Sequence, residues 1–162
     1  MRLTSSAFAY GAMIPVKHTC DSLDISPQLT VSGIPPKAIS LVLICDDPDA
    51  PMGTWVHWVM FNLSPELAEL PEGITDGISP GFGKDTSGTA KHGVNDFKRF
   101  GYGGPCPPKG SVHRYFFKLY ALDTFLEFDK DQITGGITVD ALTLKMKDHI
   151  VAETHLMGKY KR

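Results

Sequence analysis

The chain has 162 residues, of which 42% are hydrophobic and 21% charged, and its formal net charge is -2. Those figures fit one soluble domain over residues 1–162, long enough to bury a full core. They count against a dedicated nucleic-acid binder, which would carry a basic face, and no run approaches the roughly 18 apolar residues of a membrane-spanning helix.

Sixteen glycines and 12 prolines divide the chain into short segments without an internal repeat, a pattern that favours a mostly β sandwich over a helical bundle. In chain order, Leu3 to Ser6 and Gln28 to Ser32 read as modest strands. Ile39 to Cys45 is a continuous apolar run rich in β-branched residues, so it is predicted to be central and buried on both faces. Trp55 to Leu63 follows as a second strong strand. The stretch from Ser64 to Gly110 is loop-rich and carries Gly81, Gly83, Gly88, Gly93, Gly101, Gly103 and Gly104; at this length it is either functional or contains short strands. Val112 to Leu122 is a third strong strand with four aromatics. One helix is predicted, with Thr138 as N-cap, Asp140 in the first turn and Leu142, Met146 and Ile150 as an apolar stripe, ending near His149. Val151 to Tyr160 closes the chain as a strand.

Cys20, Cys45 and Cys106 are odd in number and scattered, with no Cys-x-x-Cys pair, so neither a disulfide framework nor a zinc ribbon is expected. The N-terminus lacks the apolar run of a signal peptide, which gives a cytoplasmic protein with reduced thiols as the expectation.

Alternation along the strands gathers the polar residues at their tips. Asp47 shares a face with Leu41, Leu43 and Cys45; His57 with Trp55, Val59, Phe61 and Leu63; His113 and Tyr115 with Phe117, Leu119 and Ala121. Antiparallel pairing of the first two strong strands would place Asp47 and His57 at one end, where His113 can join them. The loop Asp46 to Pro51 is stiffened by two prolines, and its Ala50-Pro51 bond is a candidate cis peptide. The loop Tyr102 to Gly110 has glycines that allow close approach of backbone N–H groups to an anion. Taken alone, an aspartate in such a turn is a turn residue and a histidine at a strand end is structural. The two histidines and Tyr115 on one face are what point to a pocket.

Three stretches carry a family resemblance: Asp47-Pro48-Asp49-Ala50-Pro51 followed by Trp55-Val56-His57-Trp58; Gly101 to Gly110 running into His113-Arg114-Tyr115; and His149 to Glu153 with Leu156 to Tyr160. With Gly93 to Phe97 they span most of the chain, and in this order they resemble the phosphatidylethanolamine-binding protein family, which includes Raf kinase inhibitor protein, and within it the bacterial and archaeal branch. The resemblance implies a Greek-key β-sandwich with a few short helices and a pocket for phosphate, acetate or a phosphorylated headgroup. It places Asp47, Asp49, Trp55, His57, Pro107, His113 and Tyr115 on ligand-site positions, with Gly104 and Cys106 in the pocket loop. Eukaryotic members often add a C-terminal helix beside the pocket; the sequence stops at Arg162, so that helix is not expected here. The resemblance also implies a homodimer, and a protein partner such as a kinase.

The function expected is therefore non-enzymatic binding of a small anion, without cofactor or nucleic acid. Asp47 is favoured as a direct ligand and Asp49 as a brace of the turn, and binding should weaken above roughly pH 7 as the histidines lose charge. The alternative is a metal-dependent hydrolase using His57, His113 and Asp47, although no His-Glu-x-x-His motif is present. Ser111 near His113 lacks the Gly-x-Ser-x-Gly turn of a serine hydrolase. A surface interaction module is the third class.

Overall fold

The computed structural model describes residues 1–74 and 90–162. Gly81, Gly83 and Gly88 of the central loop lie outside the described residues. The strands are β1 (Arg2–Thr4), β2 (Leu29–Ser32), β3 (Ser40–Asp47), β4 (Trp55–Leu63), β5 (Glu69–Leu70), β6 (Lys91–His92), β7 (Val112–Leu122) and β8 (Ile150–Lys161), with a 3-10 turn at Val16–His18 and helices α1 (Lys130–Gly135) and α2 (Val139–Met146). They form an antiparallel sheet in the order β1-β2-β5 and a larger one in the order β6-β4-β3-β7-β8. No helix among the described residues is long and apolar enough to cross a membrane.

Two cores explain why β3 reads as a continuous apolar run. Between the sheets, Leu3, Leu29, Val31 and Leu70 of the small sheet meet Leu41, Leu43, Trp58, Met60, Phe117 and Leu119 of the large one. On the large sheet's other face, Val42, Ile44, Val59 and Phe61 pack against Leu126, Ile137, Leu142 and Met146. β3 is buried at every position. A strand covered on both sides has no reason to alternate. Ile39, read as the start of this strand, lies just before it and is exposed.

In α2, the Thr138 hydroxyl accepts from the Ala141 amide, as its N-cap position requires, and Leu142 and Met146 are buried. The helix ends at Met146 rather than near His149, because Ile150 already begins β8. The short helix α1 was not legible in the sequence. The loop-rich middle does contain short strands, β5 and β6, of two residues each.

The sequence expectation for β4 fails at two places. Cys45 pairs with Trp58 and Asp46 with Val56, so His57 is the extra residue of a β-bulge. The bulge restarts the alternation: Val56 packs with the helical layer, while Trp58 enters the core between the sheets. His57 therefore does not share a face with Val59 and Phe61. At Asn62 the backbone turns left-handed, with φ 56°, a conformation Asn tolerates, and Leu63 returns to the inter-sheet side.

The expectation of reduced thiols is also corrected. Cys20 and Cys106, 86 residues apart, form a disulfide, while Cys45 is a buried free thiol. The loop after the 3-10 turn and the loop before β7 meet at one rim, a proximity that spacing along the chain does not reveal. The Ala50-Pro51 bond is trans.

Candidate functional site

Pairing brings the three strand tips together. Asp47 lies opposite Trp55 across β3 and β4, and Asp46 lies opposite Phe116 across β3 and β7. The resulting cavity, about 410 Å³, is lined by Asp47, Ala50, Pro51, Met52, Trp55, His57, Phe97, Cys106, Pro107, Pro108, His113 and Arg162.

The polar groups are buried and individually held. His113 Nδ1 lies 2.7 Å from Asp47 Oδ2, and the two residues are 5% and 4% exposed. Asp47 Oδ1 accepts the Asp49 amide at 2.9 Å, which closes the turn. Both oxygens of Asp47 are thus engaged. His57 donates from Nδ1 to the Gly103 carbonyl at 2.6 Å, since a carbonyl can only accept; the His57 carbonyl in turn accepts the Gly103 amide. That contact fixes the tautomer and makes Nε2 the acceptor in the neutral ring. Burial lowers the His57 pKa below its ordinary value, against the raising influence of the Gly103 carbonyl and the Asp47 carboxylate.

The walls are apolar. Phe97 meets the rings of Trp55 and His57 edge-on, with centroids 5.5 and 5.3 Å away. Met52 stands at the mouth, 91% exposed. Phe97 belongs to the segment Gly93 to Phe97 quoted above for the resemblance, but strand alternation could not have assigned it a place in the site. Arg162 carried no local signal; its position follows from the pairing of β8 with β7, where Lys161 lies opposite Val112.

Of the nine candidate residues, Asp47, Trp55, His57, Cys106, Pro107 and His113 line the cavity, whereas Asp49, Gly104 and Tyr115 do not. Asp49 is turned to Arg114: it accepts from the Arg114 amide, Nε and a terminal guanidinium nitrogen at 2.7 to 2.9 Å. The Arg114 guanidinium holds its pKa down at about 2. Gly104 donates its amide to Asp24 at 2.6 Å, and a Cβ there would fall 2.5 Å from the His18 carbonyl oxygen. Tyr115 is fully buried, its ring edge-on to His57 at 5.2 Å. Its hydroxyl has no well-aligned partner among the described residues, and burial together with the nearby Asp47 carboxylate pushes its pKa up.

Comparison with known proteins places this architecture. The chain is 44% identical to a UPF0098 protein of Methanothermobacter thermautotrophicus over 100% of this chain and 99% of the relative. It is 41% identical to a UPF0098 protein of Chlamydia trachomatis, again covering 100% and 99%. Among solved structures, a phosphatidylethanolamine-binding protein homologue from Chlamydia trachomatis superposes with a TM-score of 0.83 at 41% identity, covering 99% of this chain and 96% of that one. Escherichia coli YbcL, described as a member of the mammalian family, gives a TM-score of 0.83 at 30% identity, with coverage of 99% and 98%. With residues 4–161 matched by the phosphatidylethanolamine-binding protein family model, the chain belongs to that family.

Proposed function

We propose that the cavity binds a small oxyanion, such as phosphate or a phosphorylated headgroup, and that the protein acts by binding rather than by chemistry. The observation that carries this reading is the convergence of His57, His113 and Arg162 in a hollow with apolar walls. Small-ligand sites have this composition: a mostly apolar lining with a few placed polar groups. Asp47 does not oppose an anion as a free carboxylate would, because Oδ2 faces His113 and Oδ1 holds the Asp49 amide. Its role in this reading is to orient His113 through the Oδ2 contact, rather than to contact the anion directly. The walls from Ala50 to Met52, Trp55, Phe97 and the two prolines give room for a compact organic group attached to the phosphate.

The hydrolase alternative has little support in this geometry. Both oxygens of Asp47 are engaged within the protein, and among the described residues no three His, Cys, Asp or Glu side chains are grouped to hold a metal.

Calorimetric titration with inorganic phosphate tests the proposal. Saturable one-site binding is expected, weakened about tenfold by His113→Gln, the size of one charge-assisted hydrogen bond. Affinity should fall from about pH 5.5 to about pH 8, because an anion draws a proton onto His57 and that proton becomes harder to supply as pH rises. Absence of saturation by about 10 mM phosphate, weaker than any useful site, would overturn the reading.

A further inference from the structure

Arg162 reaches the cavity along a connected rim. Its Nε donates to Asp21 Oδ1 at 2.9 Å, and a terminal nitrogen lies 3.6 Å from Cys106 Sγ. The other oxygen of Asp21 accepts the Tyr160 hydroxyl at 2.8 Å. Asp21 follows Cys20, and Cys20 is bonded to Cys106, which itself lines the cavity. The disulfide, the Asp21 carboxylate and the Arg162 guanidinium are therefore one chain of contacts ending at the pocket.

We propose that Arg162 supplies positive charge to an anion in the cavity, and that the Cys20–Cys106 disulfide, by holding the Asp21–Arg162 arm against the pocket loop, makes anion affinity depend on redox state. This inference rests on the anion reading of the cavity.

A guanidinium has five N–H donors in a planar fork. The contacts to Asp21 and Cys106 leave donors able to take two oxygens of one oxyanion side by side. Asp21 acts here as an orienter: fixed by Tyr160 as well as by Arg162, it restricts a long side chain that would otherwise move freely.

Cys20 and Cys106 are both exposed, so a dithiol reductant can attack the bridge. The S–S bond breaks, two thiols form, and the two electrons and two protons come from the reductant, which closes its own disulfide. The loops are tied at other points as well. Tyr102 donates to the His18 carbonyl at 2.8 Å, Gly104 to Asp24 at 2.6 Å, and the Cys20 amide to the Pro105 carbonyl at 3.2 Å. Opening the bridge thus frees the rim and leaves the frame standing.

The test is titration of inorganic phosphate into oxidised protein and into protein reduced with dithiothreitol. Alkylation and mass measurement confirm two reactive thiols, with buried Cys45 unreactive in the folded state. Arg162→Gln should weaken phosphate binding about tenfold, the size of one charge-assisted hydrogen bond, and reduction of the wild type about threefold or more. The double variant Cys20→Ala, Cys106→Ala, shown to be folded by near-ultraviolet circular dichroism, should match the reduced wild type without any reductant. In Arg162→Gln the redox effect should vanish, because the two changes act on one contact. Equal affinity of oxidised and reduced wild type, a double variant that binds like the oxidised protein, or a full redox effect persisting in Arg162→Gln would each overturn the inference while leaving the anion pocket intact. Absence of phosphate binding by oxidised wild type would remove both.

Discussion

His57 donates to the Gly103 carbonyl, a contact that favours its charged form, yet burial outweighs it and keeps the pKa low. In the window between that lowered value and about 6.5, the unfolded chain holds the proton and the folded chain does not. The His57 contribution to stability should therefore fall as pH drops below about 6.5. Urea unfolding of wild type and His57→Gln across this range should show a shallower slope in the variant. The slope should not disappear, since burial lowers the pKa of His18 in the same way. An unchanged slope would mean that the burial of His57 has no energetic weight. The same residue marks the limit of the sequence reading. Its presence at the site was legible from the position of a polar residue near the entry of an apolar strand; its true face was not, because the bulge at Asp46 and Trp58 is set by pairing with β3 and leaves no mark in β4 itself.

Among the elements, those legible in advance were the ones whose pattern is set by burial. The apolar pattern marks the observed ends of β4 and β7, and Leu142 with Met146 marks the buried stripe of α2. Elements fixed by a neighbour leave no such pattern. β5 and β6 are two residues long and exist through their partners in β2 and β4, and α1, Lys130–Gly135, has no apolar stripe from which to be read. Asn62 shows how such a neighbour acts on a strand. Its side chain donates to the Leu126 carbonyl and accepts the Leu126 amide, both at 2.9 Å, so it closes β4 and anchors the segment leading to the helices. Asn62→Ala would leave two buried backbone groups unpaired and place a less tolerant residue at positive φ. A loss of about 2–4 kcal/mol in unfolding free energy is expected, measured by chemical denaturation; a loss below about 0.5 kcal/mol, the usual scatter of surface substitutions, would show that the segment is held by packing alone.

Over the whole molecule, the disulfide divides the chain into a covalent ring and its two tails. Removing a bridge between residues so far apart raises the entropy of the unfolded chain, which should cost about 2–4 kcal/mol. Denaturation with and without dithiothreitol measures this, and identical midpoints would show that the unfolded chain is unaffected by the crosslink. The reduced protein should stay folded, because cores lie on both sides of β3 and do not depend on the bridge.

The division also runs through the cavity. Asp47 and His57 belong to the closed ring, whereas His113 and Arg162 belong to the stretch that leaves it. An occupant touching both sets of groups would tie the outgoing stretch to the ring at the rim, beyond the pairing of β3 with β7, a clasp made by a molecule the gene does not encode. The right compound should then announce itself mechanically, by making the two parts harder to pull asunder.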